Sequence, residues 1–355
     1  MRYLSLLVLV AATTLYGQNQ ITNFIKRPSF ETGVILQRWT ANSGQTIDEI
    51  VVPLVLHYPV SERFSVSVLN APTYARFNRA NSSSRLTAFT DTKISTAWIL
   101  GEERALLNFG VNVPSGRTAL LGTEIPVAQA IAVHPLAMTT SYFGGGLEVS
   151  ASIAAAAERG EWIFGGSLGG AYKGSFVPAA GSPKYFPGPE ISVSLGFDRP
   201  FGEGLRIFGD AGYTWYGKDK FGGQKDTLAG GKINFRLAGI LTSGKWQMLL
   251  GLENRFRRTI PFAFNNGYGN ELDFSAEWAR QMNRDSALLA SAILRIYGKN
   301  KIGNGEAVVI SFGPGWRGQI LPPLQLEAAT HFSIGKLNGG QILGGELKLG
   351  FIYQF

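Results

Sequence analysis

Stretch after stretch of this chain alternates apolar and polar residues with period two. Ile191, Val193, Leu195 and Phe197 fall on one side of a strand, with Glu190, Ser192, Ser194 and Asp198 on the other. The next stretch sets Leu205, Ile207, Ala211, Tyr213 and Trp215 against Arg206, Asp210 and Thr214. Further on, Trp246, Met248, Leu250, Leu252 and Phe256 oppose Gln247, Glu253, Arg255 and Arg257. About sixteen such stretches follow one another, each long enough to cross a bilayer at a tilt. In water their apolar faces would demand a very large core. In lipid they need no partner, and closing the sheet leaves no unpaired edge. The expected fold is therefore all-β: one transmembrane antiparallel up-and-down β-barrel over residues 30–355. Fourteen or twelve strands result if the first or last assigned pairs merge.

The connections point the same way. Short turns are expected at Ser61-Glu62-Arg63, Gly101-Glu102-Glu103, Glu158-Arg159-Gly160 and Ser243-Gly244, with longer connections between them. The longer ones include Thr73–Leu86, Pro114–Ser141, Phe176–Gly188, Gly217–Asp226 and Arg258–Tyr268. Alternation of tight and long predicts an even strand count with both chain ends on one side, the periplasm. Composition agrees: 45 glycines, 12% aromatics and only 16% charged residues suit strands and turns. A mean hydropathy of +0.05 suits an apolar exterior around a polar interior. The formal charge of +8 does not mark a nucleic-acid partner, because Lys and Arg are scattered along the strands and turns.

Both ends of the chain carry signals. Arg2 followed by Leu4–Ala12 reads as the positive and apolar regions of a secretory signal, too short to span a membrane, with cleavage expected after Gly17. Residues 18–29 then form a periplasmic or plug segment ahead of the barrel. At the other end Leu347, Leu349, Phe351, Tyr353 and Phe355 alternate with Lys348, Gly350, Ile352 and Gln354. This segment resembles the closing strand of bacterial outer-membrane barrels, where a terminal Phe forms part of the assembly signal. The resemblance implies the outer membrane as location, with its lipid and the barrel-assembly machinery as partners. Trp39, Tyr58, Trp162, Tyr172, Trp215, Trp278, Trp316 and Tyr353 are expected to form interfacial girdles. With no cysteine, lipoprotein anchoring, disulfides and thiol chemistry are excluded.

The order of segments also resembles outer-membrane transporters of the phenol-degradation meta-pathway type, distant relatives of FadL-type channels for hydrophobic compounds. Pro53–Phe64 is similar to that family's opening strand, turn and strand. Phe89-Thr90-Asp91-Thr92 resembles its Gly-Asp-Thr strand start, and Pro114-Ser115-Gly116-Arg117 its Pro-Thr-Gly-Lys loop. Thr90 and Ser115 depart from those patterns, and the Asn-Pro-Ala start of FadL proteins is missing. The resemblance implies passive passage of small solutes, hydrophobic ones included. The alternative is a non-transporting barrel with a structural or surface-binding role.

Two sets of residues are candidates for function. Arg206, Asp210, Lys232, Arg236, Glu253, Arg255, Arg257, Glu271, Asp273 and Glu277 share one predicted face and should line the lumen. Opposed basic and acidic ladders would there create a transverse field that selects solutes; the competing expectation is salt-bridged ladders that fill the interior. The second set is Ile125, Val127, Ile131, Val133, His134 and Leu136, in a loop too apolar to sit solvated outside a cell. It should constrict the mouth, cap it or lean on lipid, and could capture apolar solutes. No catalytic, metal or cofactor site is expected. The three histidines lie far apart, and His331 with Ser333 is the one His/Ser neighbour pair on a common face.

Overall fold

The computed structural model describes residues 27–79, 81–102, 104–222, 224–225, 230–257, 270–298 and 306–355. The expected signal segment 1–17 lies outside them, as does most of 18–29; Ser29 already opens the first strand. The chain forms a closed antiparallel barrel of sixteen strands. β1 is Ser29–Ala41 and β5 is Ala105–Val113. Between them β2 (Thr46–Val51 with Leu54–Pro59), β3 (Phe64–Asn70 with Thr73–Arg79) and β4 (Ser82–Ala88 with Thr92–Leu100) are each built of two segments. β6 is Glu148–Arg159, β7 Trp162–Lys173, β8 Glu190–Phe201, β9 Leu205–Tyr216 and β10 Gly230–Ser243. β11 is Trp246–Arg257, β12 Asn270–Asn283 and β13 Ser286–Tyr297. β14 (Ala307–Leu321), β15 (Leu324–Leu337) and β16 (Gly340–Gln354) complete the wall. Closure comes from β1 against β16, in register from Ser29↔Gln354 to Ala41↔Ile342.

The breaks in β2 and β3 have a common cause. Pro53 and Pro72 cannot donate to a ladder, and they fall on adjacent strands, where Val52 donates instead to the Pro72 carbonyl at 2.9 Å. The upper halves continue beyond the break and pair among themselves. The stretch Thr73–Leu86, expected as a long loop, is therefore a hairpin of two strand segments, Thr73–Arg79 and Ser82–Ala88.

Strict alternation of tight and long connections also fails at two other places on the same end of the barrel. β1 passes to β2 through residues 42–45, and β15 to β16 through Asn338-Gly339 alone. Both residues of that two-residue turn have positive φ, 50° and 82°, which Asn and Gly tolerate and which matches the twist of the flanking strands. Gly144 to Gly146 lie in the long connection before β6. The connection 258–269 lies outside the described residues.

Outward positions carry exposed apolar side chains around the wall, among them Leu195, Phe235, Leu250, Phe312 and Leu349. In the bilayer they meet acyl chains and need no protein partner. Tyr58, Tyr172, Trp215 and Tyr353 are exposed, as girdle residues should be. Trp39 is not: it is 6% exposed and packs inside the barrel. It falls between outward Arg38 and Thr40, so the same alternation that exposes the others turns it inward.

Candidate functional site

The connection from Pro114 to Leu147 folds into the barrel. Pro126 opens a short helix, Ile125–Ile131, suited to a position whose missing N–H costs nothing. A 3-10 turn follows at His134–Leu136. The helix packs on β2, β3 and β4, while the turn reaches β13 and β14 across the interior. A segment that touches both walls lies within the lumen. Val127, Ile131 and Leu136 are buried there in one cluster with Trp39, Ile47, Ala75, Phe77, Leu86, Val309 and Ile342. Ile125, Val133 and His134 are half-buried. The apolar character of the loop is thus spent on packing against inward wall residues, which leaves its three most buried side chains no surface for a solute.

Polar contacts fix the loop at four points. The Asp91 carboxylate accepts the N–H of Gly116 at 2.9 Å and of Gly145 at 2.7 Å, tying together both ends of the connection. Ser115 adds its hydroxyl, which accepts the Thr92 N–H at 2.9 Å. The two short motifs around Asp91 and Gly116 therefore form one hub at the rim. Further in, Gln37 donates to the Ala137 carbonyl and accepts from Thr139 at 2.7 Å. Glu49, 1% exposed, accepts the Thr140 N–H at 3.2 Å. Within the loop, Glu124 takes the Leu121 N–H and pairs with Arg117 at 2.9 Å.

The charged candidates gather on one arc, β8 to β13. Asp210, Arg236, Glu253, Asp273 and Arg295 stand side by side in a single row across β9–β13. Arg236 pairs with Asp210 at 2.7 Å. Arg255 reaches Glu253 at 2.8 Å, Glu271 at 3.1 Å and Asp273 at 3.4 Å. Arg206 is bound to Asp198, which is 1% exposed. Unlike charges are thus neighbours in the wall and do not face one another across the lumen. The pattern is the salt-bridged ladder, and the expected transverse field is largely cancelled pair by pair.

Lys232 joins the same wall. Glu277 sits further down it, exposed and in no ion pair among the described residues. The side chain of Arg257 lies outside the described residues. His134 of the folded loop approaches Glu271 at 3.7 Å, which brings the two candidate sets together.

Several partners escaped the sequence reading. Glu49, Gln37 and Arg295 sit on inward strand positions that alternation could have flagged, whereas Asp91 lies in the break of β4. A second network spans four strands: His331 Nε2 lies 2.7 Å from Ser291 Oγ, and Nδ1 lies 3.1 Å from Glu346 Oε1. Gly313 stands between Ser291 and His331, and a Cβ there would collide with the Thr330 carbonyl. Ser333, on the same face as His331, is bound to Ser311 at 2.7 Å. A hydroxyl, imidazole and carboxylate in series could in principle activate a nucleophile. In this wall the three side chains instead tie β13, β15 and β16 together from within.

Two cavities border these groups. One, of about 290 Å³, lies between Ile131, Val133, His134 and Met138 of the loop and Arg255, Arg295 and Tyr297 of the wall. The other, of about 440 Å³, is lined by wall residues alone, from Ser167, Ser192 and Ser194 to Asp210, Lys232, Arg236 and Arg255. At the mouth Tyr185 donates to Asp219 at 2.6 Å. Burial, then that hydrogen bond, pushes its hydroxyl above the usual phenol range.

No family model and no curated protein matches the chain. Solved structures do. Outer membrane protein OprD from Pseudomonas aeruginosa aligns with a TM-score of 0.50 at 8% identity, over 94% of this chain and 95% of its own. A BenF-like porin from Pseudomonas fluorescens Pf-5 gives 0.50 at 7% identity, over 94% and 100%. A bacterial polysaccharide outer membrane secretin gives 0.50 at 10%, over 92% and 98%. These likenesses support a barrel of the outer-membrane kind, and not the FadL-like family in particular.

Proposed function

We propose that this protein is a passive channel of the Gram-negative outer membrane, admitting small solutes through a lumen narrowed by the loop Pro114–Ser141. The observation that carries this reading is the second cavity, polar and lined by the wall of β7 to β11 without any loop residue. Serines on one side of it and Lys232, Arg236 and Arg255 on the other suit hydrated or charged solutes. Hydrophobic solutes would need the loop's apolar groups, which are already packed. Export by the N-terminal segment, and assembly through the strand ending at Phe355, complete the proposal.

A silent barrel is the second reading. It is favoured by the apolar cluster that seals the loop to β2–β4 and by the four polar anchors. Single-channel recording of the refolded protein in planar bilayers separates the two, and liposome swelling with sugars, amino acids and aromatic compounds ranks the solutes. Discrete conductance steps are expected. A barrel that is folded, heat-modifiable and electrically silent, and that passes none of these solutes, would refute the channel.

A further inference from the structure

One row of side chains interrupts the apolar exterior. Arg38 of β1 stands opposite Asp48 of β2, Asp48 opposite Arg76 of β3, and Arg76 opposite Arg85 of β4. Their chain neighbours Trp39, Glu49, Ala75, Phe77 and Leu86 are buried inside the barrel, so alternation puts this row on the outer face. One step toward the barrel's middle the same face carries Leu36, Ile50 and Tyr74; one step away it carries Thr40, Thr46, Asn78 and Ser83. The row therefore marks the border where the apolar belt ends, on the side of the long connections. An outward arginine is cheapest to place at such a border.

Three arginines against one aspartate leave the row a formal +2. Asp48 serves Arg38 at 3.5 Å. Arg76 Nε is held by Asn78 Oδ1 at 2.8 Å and Ser83 Oγ at 3.1 Å, which fixes the plane of its guanidinium. Arg85 makes no ion pair among the described residues and is exposed. Like charges directly opposed on one face of an antiparallel pair repel, and Arg76 and Arg85 are so opposed. An anion shared between them converts that repulsion into binding, and the planar fork of a guanidinium matches phosphate oxygens.

We propose that the row Arg38–Asp48–Arg76–Arg85 is a binding site for a phosphorylated glycolipid headgroup of the outer leaflet, with Arg76 and Arg85 sharing one phosphate. The inference rests on the outer-membrane placement above and not on conduction.

The test uses the full-length protein refolded in phosphatidylcholine vesicles containing bis-phosphorylated lipid A, dephosphorylated lipid A, or neither with added inorganic phosphate. The readout is the temperature at which the heat-modifiable band is lost. Only phosphorylated lipid A should raise it. Arg76→Gln with Arg85→Gln should lose most of that rise, whereas Lys336→Gln, an exposed rim cation outside the row, should keep it.

An equal rise in the double variant overturns the site. An equal rise with dephosphorylated lipid A or with inorganic phosphate overturns the assigned ligand. Should the double variant not fold, Arg85→Gln alone decides, because its removal breaks no described contact. A protein that binds the lipid but never conducts refutes the channel alone.

Discussion

Two arcs of the inner wall obey different rules. From β5 to β11 most inward residues are small or polar, such as Asn108, Ser152, Ser167, Ser194, Asp210 and Arg236, and the large apolar ones, Leu106, Ile163 and Phe208, sit near the short turns. From β14 round through β1 to β4 many are apolar and buried: Val309, Ile342, Ile35, Trp39, Ile47, Ala75, Phe77 and Leu86. Within the apolar belt, below the arginine row, the outer face does not change between the two arcs, with Leu36 and Leu250 both exposed. The difference follows the folded loop. Where the loop covers the wall, inward positions are core positions; where it does not, most of them stay polar. In a barrel, strands that are apolar on both faces, as Val34-Ile35-Leu36 is, therefore indicate where an internal segment docks.

That contrast can be broken by experiment. Phe77→Ala in the covered arc should cost about 3–5 kcal/mol of loop packing. The barrel should remain heat-modifiable while conductance rises and grows noisy; unchanged conductance would show that the loop does not depend on that arc. Leu250→Arg tests the face that should not differ between arcs, and places a charge in lipid at a cost of roughly 2–4 kcal/mol. Urea titration of folding into vesicles should show impaired assembly, and normal insertion would invert the facing.

Asp91→Ala removes the acceptor that joins the two ends of the loop. Charge-assisted hydrogen bonds of this kind contribute about 1.5–3 kcal/mol. Protease cleavage within Pro114–Ser141 should become faster, and equal rates would deny Asp91 its anchoring role. In the open arc, Arg255→Ala with Arg257→Ala should leave a folded barrel whose reversal potential in a salt gradient moves toward cations. An unmoved potential would place the ion path elsewhere. The smallest effect is expected of Ser194→Ala, within about 0.5 kcal/mol in the same urea titration. A larger loss would mean that the polar arc is also a packed one.

Much of the architecture was legible in the sequence, because facing along a strand is set by period two alone. The strand count, the inward charges and the outward belt all follow from it. Segmented strands were harder. The stretch from Thr73 through Ser82-Ser83-Ser84 reads as loop, since nothing local says that Thr73–Arg79 will find Thr46–Val51 as a partner. Ion pairs were harder still. Arg236 with Asp210, or His331 with Ser291, depends on the register between strands, which only the whole barrel fixes. The loop's apolar residues are conspicuous, but their partners are distant in sequence: Trp39 reads as a girdle residue, Phe77 falls in an expected loop, and Val309 reads as an ordinary strand residue.

Fourteen of the wall's contacts between successive strands can form as soon as their two strands exist, and the pair β5–β6 only has to wait for one loop. The seam between Ser29–Ala41 and Gly340–Gln354 is different, since its partners lie at opposite ends of the chain. Until the final residues are in place, the growing sheet carries two open edges, β1 and whichever strand came last, each offering a row of unsatisfied N–H and C=O groups. Loop closure over such a distance is slow, and open edges invite pairing with other chains. The order of events during insertion is then dictated by topology: the first strand must be kept from foreign partners for as long as the rest of the wall takes to build.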